Sequence, residues 1–260
     1  MSAHGVVFLM YHELETPGRP LRQAEPGYVR YIVRVSDFRS QMESLKSQGW
    51  KGMSVGQAIG SFAEKTVAIT FDDGCETDLL SAAPILRELG FGATFYITSG
   101  WSEQTGYLSH AQLRELSSLG FEIGCHSMSH SYLTDLDEDG LRREIGDSKH
   151  QLEQVIGKTV EHFSCPGGRF DERVARVARD AGYRTVATSA TQANTSASNP
   201  FALGRVAVMR NASLAEFRNL CHGRGLWQWR LGVQLRGAIR SAMGNSAYDR
   251  LRRAMLRRGS

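Results

Sequence analysis

Two adjacent carboxylates and a pair of histidines are the residues of this chain best suited to chemistry. Asp72 and Asp73 stand in Thr70-Phe71-Asp72-Asp73-Gly74, directly after the apolar, β-branched run Val67-Ala68-Ile69, which reads as a buried strand. Neighbouring strand residues point to opposite faces, so both carboxylates can serve one site only if the strand ends there. Gly74 supplies the permissive backbone for that break. Asp-Gly is also ordinary turn chemistry, so the pentapeptide alone reads equally as a turn. Fifty-three residues after Asp73 comes His126-Ser127-Met128-Ser129-His130. Histidines at i and i+4 share one face of a helical turn, and in a tight loop they can also converge. Imidazole nitrogen is the commonest protein ligand for zinc. This pair, like the carboxylates, follows an apolar strand. In a parallel α/β sheet the C-terminal strand ends share one rim, where active sites lie. Two histidines and a carboxylate on that rim make three protein ligands and leave a position open for water. That is the pattern of a catalytic metal site rather than a structural one.

The elements that must position these groups alternate. Strands are predicted over 6–10, 67–71, 93–97, 121–125, 160–163, 184–188 and 206–208. Between them, Ser36 caps a helix carrying Phe38, Met42, Leu45 and Trp50 toward the core. A helix over 79–89 has Pro84 at its start or at a kink. Ser109 caps another that Gly120 closes, and a long amphipathic helix over 141–156 ends at Gly157. Val174, Val177, Ala178 and Ala181 form a further helical face, and Ser213 to Glu216 has the spacing of a capping box. The first strand ends in Tyr11-His12-Glu13, and the polar, Pro- and Gly-bearing stretch that follows to about Arg30 is long enough to be a functional loop. Strands alternating with helices argue for a parallel sheet, and about seven such units favour a closed or nearly closed barrel over an open sheet.

At 260 residues, 41% hydrophobic and 22% charged, the chain has the composition of a folded soluble α/β domain. Its net charge of +4 hides an asymmetry: residues 221–260 hold nine arginines against one acid, so the remainder carries −4. No basic region precedes the short apolar run at 6–11, so no secretory signal is expected, and nothing approaches a transmembrane length. Cys75, Cys125, Cys165 and Cys221 show no C-x-x-C spacing, which makes reduced, packed thiols the expectation. The location implied is cytoplasmic, with the basic tail allowing peripheral contact at the inner membrane face.

Taken together, Thr70 to Gly74 and His126 to His130 resemble the polysaccharide deacetylases of the NodB-homology type, the family-four carbohydrate esterases. The resemblance extends from Val6 to about Thr188. It implies a distorted (β/α)7-type barrel, a bound divalent metal and hydrolysis of N-acetyl groups from amino sugars. By that resemblance Asp73, His126 and His130 hold the metal, most simply zinc, with cobalt, nickel or iron as alternatives. Asp72 is then the general base that activates the attacking water. Phe163 to Gly168 looks like the family's third motif, where the backbone amide of Gly167 would be the oxyanion donor.

Departures from the family pattern matter. Many members carry an arginine in the third motif that orients the base, and this chain has Ser164 there. The fourth-motif Asp and Trp are not visible in 188–196, nor is the late Leu-x-His whose histidine protonates the leaving amine; His222 lies beyond the barrel. One branch, resembling the enzymes of poly-N-acetylglucosamine export, has a Tyr-His near its N-terminus in a circularly shifted arrangement, and Tyr11-His12-Glu13 matches it. His12 is therefore the expected general acid, and Arg205, just before the last strand, the candidate replacement for the missing arginine. Trp101 and Tyr107 suit either sugar stacking or ordinary packing; His110 and His150 read as surface residues.

The expected organisation is a deacetylase domain over 1–220 and a basic amphipathic helical extension over 221–260, whose composition suits an anionic membrane surface as well as plain packing; nucleic acid is not expected. The expected substrate is an N-acetylated sugar of a polysaccharide or a lipid-linked precursor. An amidohydrolase acting on a small non-sugar amide and a catalytically silent carbohydrate-binding barrel are the alternatives.

Overall fold

The computed structural model describes residues 5–22 and 25–226. The amphipathic tail beyond 226 lies outside the described residues. Ten strands are assigned: β1 (Val7–Tyr11), β2 (Leu14–Glu15), β3 (Val33–Arg34), β4 (Lys51–Met53), β5 (Thr66–Phe71), β6 (Thr94–Ile97), β7 (Glu122–Cys125), β8 (His162–Ser164), β9 (Thr185–Ala187) and β10 (Val206–Ala207). Eight of them form one sheet in the order β10-β1-β5-β6-β7-β8-β9, with β4 beside the first half of β5. Every pairing in this sheet is parallel. The segment at 203–208 closes the curl. Leu203 bridges Ala187 at the end of β9, and a few residues later β10 pairs with β1. The result is the nearly closed barrel expected from the alternation of elements, in the distorted form that the family resemblance implies.

Side-chain parity explains the barrel's two layers. On β1, Val7, Leu9 and Tyr11 join the apolar layer under the helices, with Phe38, Met42 and Phe71. Phe8 instead packs inside the barrel with Ala68, Tyr96, Ala187 and Leu203. The period of two along β5 sends Val67, Ile69 and Phe71 outward and Ala68 inward. Thr70, and Asp72 just past the strand end, continue the inward series.

The helices fall where the sequence places them, with informative differences. Ser36 lies inside the helix Val35–Ser47 rather than capping it, the N-cap being Arg34 with no side-chain cap bond, and Trp50 is buried but follows that helix instead of belonging to it. The expected helix at 79–89 is a π-helical turn over Asp78–Ala82 followed by a helix over Ala83–Leu89, with Pro84 in its first turn. The long helix also holds a π turn, Arg143–Asp147, between Glu138–Arg142 and Ser148–Ile156. Ser109 and Ser213 each build a full capping box. The short β4 and the helix Val55–Ser61 were not foreseen; Gly52 interrupts the first and Gly56 and Gly60 the second, although Ser54 and Gln57 form a capping box there. Among the described residues no helix is long and apolar enough to cross a membrane.

Candidate metal centre and active site

The carboxylate pair sits at the C-terminal end of β5. Asp72 keeps the strand's inward direction, and its amide donates to Tyr11 O at 3.0 Å. Asp73 is then turned by a left-handed φ of 84°, followed by Gly74 at 80°. That conformation is rare for a side-chain-bearing residue and marks strain held by its surroundings. It brings the second carboxylate to the same side as the first, which alternation alone would forbid. The strand ends where the chemistry requires it.

The histidines come from the loop after β7, not from a helical turn. Ser127 and His130 both take left-handed φ values, 68° and 61°, and the Ser127 hydroxyl accepts from the His130 amide at 2.9 Å. Glu144, on the π turn of the long helix, clamps this loop. Its carboxylate accepts from the Met128 and Ser129 amides at 3.0 and 2.9 Å and from the Ser129 hydroxyl at 2.6 Å. Sequence reasoning missed Glu144, because nothing in its spacing to the histidines announces a π turn.

The candidate ligand atoms of Asp73, His126 and His130 all lie within 4.8 Å of one another. His126 Nε2 is 3.6 Å and His130 Nε2 3.5 Å from Asp73 Oδ1. That oxygen is buried with no hydrogen-bond partner among the described residues, an expensive state that a cation would relieve. His126 Nδ1 lies 2.8 Å from Ser164 O. A carbonyl only accepts, so Nδ1 carries the proton and the Nε2 lone pair faces Asp73, as in metal-ligating histidines. Burial pushes His126 down to about 3 and lowers His130 as well, keeping both rings neutral, the form that binds metal. The donor set fits a divalent metal.

Asp72 is held quite differently. Arg205 reaches it with both terminal nitrogens, Nη1 to Oδ1 at 2.6 Å and Nη2 to Oδ2 at 2.8 Å, a bidentate, charge-assisted pair. The guanidinium is fully buried inside the barrel. Its Nη2 also donates to the Ser164 hydroxyl at 2.7 Å and its Nε to Thr188 O at 3.2 Å. Ser164, where an arginine was expected, thus occupies the space beside a guanidinium that arrives from just before β10. Burial alone pushes the Asp72 carboxyl up; the Arg205 charge, followed by His126, outweighs it and holds the group below the usual carboxylate range. Asp73 moves the other way: burial pushes it up to about 6, His12 opposing and the Asp72 charge adding. Two neighbouring carboxylates are thereby driven apart in protonation behaviour, a mark of divided roles.

His12 stands at the end of β1, one residue past the Tyr11 carbonyl that accepts from Asp72. Its ring packs against Tyr31 at 5.4 Å, and its Nδ1 is buried without a hydrogen-bond partner among the described residues. It acts electrostatically on both carboxylates. Gly167 lies in the turn after β8 with a left-handed φ of 59°. Trp101 stacks on His130 with ring centroids 5.0 Å apart, and Tyr107 packs on Trp101. His222 packs on Trp50, and the four cysteines are buried.

The family model for polysaccharide deacetylase matches residues 60–186, the segment that carries both carboxylates, both histidines and Gly167. Residues 60–186 are thus similar to the polysaccharide deacetylase family. The chain is 35% identical over 124 residues to the peptidoglycan-N-acetylglucosamine deacetylase of Bacillus cereus, covering 47% of this chain and 56% of that one. It is 26% identical over 201 residues to the poly-beta-1,6-N-acetyl-D-glucosamine N-deacetylase of Staphylococcus aureus (strain MRSA252), covering 70% and 69%. Among solved structures, the fold matches the Streptococcus pyogenes deacetylase PplD with a TM-score of 0.76 at 22% identity, over 85% of this chain and 99% of that one.

Proposed function

We propose that this protein is a metal-dependent N-deacetylase acting on an amino sugar of a polysaccharide or of a lipid-linked glycan precursor. The observation that carries this reading is the pairing, on one barrel rim, of a three-ligand cluster with an ionised carboxylate that an arginine holds beside it. The match of residues 60–186 to the deacetylase family, and relatives named as a peptidoglycan-N-acetylglucosamine deacetylase and a poly-beta-1,6-N-acetyl-D-glucosamine N-deacetylase, support the substrate class.

Asp73, His126 and His130 would hold the metal, for which zinc is the proposal. A divalent metal held there acidifies water and polarises an amide carbonyl. Asp72, kept ionised by Arg205, takes the proton of the attacking water. The Gly167 amide donates to the oxygen that becomes negative as the carbonyl carbon turns tetrahedral. His12, entering from the neighbouring strand, gives a proton to the departing amine. Arg205 fixes the direction of the Asp72 oxygens and supplies the charge that the third motif lacks. A cytoplasmic location with the basic tail at the inner membrane face belongs to the same proposal.

Acetate release tests it, measured with chelated and zinc-reloaded protein on N-acetylglucosamine oligomers of β-1,4 and β-1,6 linkage and on lipid-linked N-acetyl sugars. Zinc-dependent release from at least one class is expected. Zinc-loaded protein that released acetate from none of them would end the reading.

A further inference from the structure

Tyr132 lies two residues beyond His130 and takes no part in the chemistry assigned above, yet its ring is fixed in place. The Arg169 guanidinium sits 3.3 Å from the ring centroid. Arg169 is itself only 5% exposed, and its Nη1 lies 3.7 Å from Asp135 Oδ2. One edge of the ring closes on Gly167, where an added Cβ would come within 2.9 Å of Tyr132 Cε1. Gly167 therefore serves two ends: its bare Cα lets the backbone take a left-handed turn and lets the ring approach. Tyr132 itself stays only half-buried. On the other flank of His130, the Trp101 ring is engaged by His130 and Tyr107, and Tyr107 is covered by Arg22, 4.0 Å from its centroid.

An aromatic ring already immobilised beside a reacting centre offers a flat apolar face at little ordering cost, because the rotamer entropy is lost on folding rather than on binding. One face of Tyr132 lies on Arg169 and one edge on Gly167, while part of the residue stays exposed.

We propose that Tyr132, backed by Arg169 and seated on Gly167, is a stacking subsite for the sugar next to the one being deacetylated. This rests on the proposed function for its ligand chemistry, and the test reads binding so that the two stand or fall separately.

N-Acetylglucosamine oligomers of one to five units are titrated calorimetrically into Asp72→Asn protein, alone and combined with Tyr132→Phe or Tyr132→Leu. With Tyr132 present, and equally in Tyr132→Phe, affinity is expected to climb from monomer to longer oligomers. Tyr132→Leu, which keeps apolar bulk but removes the ring, is expected to lose roughly tenfold of that gain. A length dependence unchanged in Tyr132→Leu, or lost as fully in Tyr132→Phe, would overturn the subsite. Binding is readable whether or not the active protein releases acetate, which separates failure of the subsite from failure of the deacetylase reading.

Discussion

Arg205 is the residue on which the behaviour of Asp72 depends. Without it a fully buried carboxylate would keep its desolvation penalty and lose its main compensation. Arg205→Ala, and to a lesser degree Arg205→Lys, should lower kcat/KM about 10- to 100-fold. The acid limb of the pH profile should also move to higher pH, because Asp72 then protonates more readily. A merely structural role would lower the rate without moving that limb. Asp73 makes the complementary prediction. Its folded pKa is raised to about 6 from an ordinary 3.8, so its contribution to the stability of the metal-free protein is lost as pH rises through about 6. A metal held at Asp73 would offset what the buried charge costs. Added zinc should therefore raise Tm markedly at pH 7.5 and far less at pH 5, as differential scanning fluorimetry would show; equal shifts at both values would contradict the placement of Asp73 in the ligand set. The carboxylates and histidines were legible because type and spacing announce them. The φ reversal at Asp73 was legible only as a requirement, that the strand must end.

At the scale of elements, two devices hold the site from opposite ends of the barrel. Above, the π turn Arg143–Asp147 presents Glu144 to the histidine loop, whose left-handed residues have no regular ladder to fix them. Glu144→Ala removes three hydrogen bonds from that loop and should weaken zinc affinity about 10- to 100-fold, measured by chelator competition; an unchanged affinity would mean the loop holds itself. Below, at the entry to β7, Glu122 accepts from Ser54 Oγ at 2.9 Å, from Thr94 Oγ1 at 2.5 Å and from the Gly56 amide, with His162 Nε2 3.5 Å away. Burial pushes the Glu122 carboxyl up, but the His162 contact and these hydroxyls outweigh it and hold it low. Its contribution is thus present above the ordinary carboxylate range and lost as pH falls below about 4.5 toward the lower folded value. A Cβ on Gly56 would lie 2.4 Å from Glu122 Oε2, so Gly56→Ala should cost about 1–3 kcal/mol by leaving that carboxylate poorly paired. Urea titration checks it, and it should leave the pH profile of activity in place. Neither device shows in the amphipathic pattern, because a π turn adds one residue to a helix without changing its composition, and Glu122, the first residue of β7, looks like any charged residue at a strand boundary.

Across the whole molecule, what could be read in advance was what repeats. Alternating strands and helices predict a parallel barrel, and the curl of β1 and β5 to β10 follows. The late strand at 206–208 was legible too, but closure was less so. It rests on the irregular segment at 203–208, where Leu203 bridges β9 and the two residues of β10 pair with β1, contacts too short to leave a pattern. That segment also delivers Arg205, 133 residues from Asp72 in sequence, so the arginine was found by noticing a gap at Ser164 rather than by any local motif. The central claim is that Asp72 is the base of a metal-dependent deacetylase and Asp73 is its ligand. Acetate release from N-acetylglucosamine oligomers by zinc-loaded Asp72→Asn, with bound zinc counted in the same samples, tests that division most directly. The account predicts a full complement of zinc and a rate at least about 100-fold below wild type. Asp72→Asn protein that binds zinc and releases acetate at the wild-type rate would contradict it.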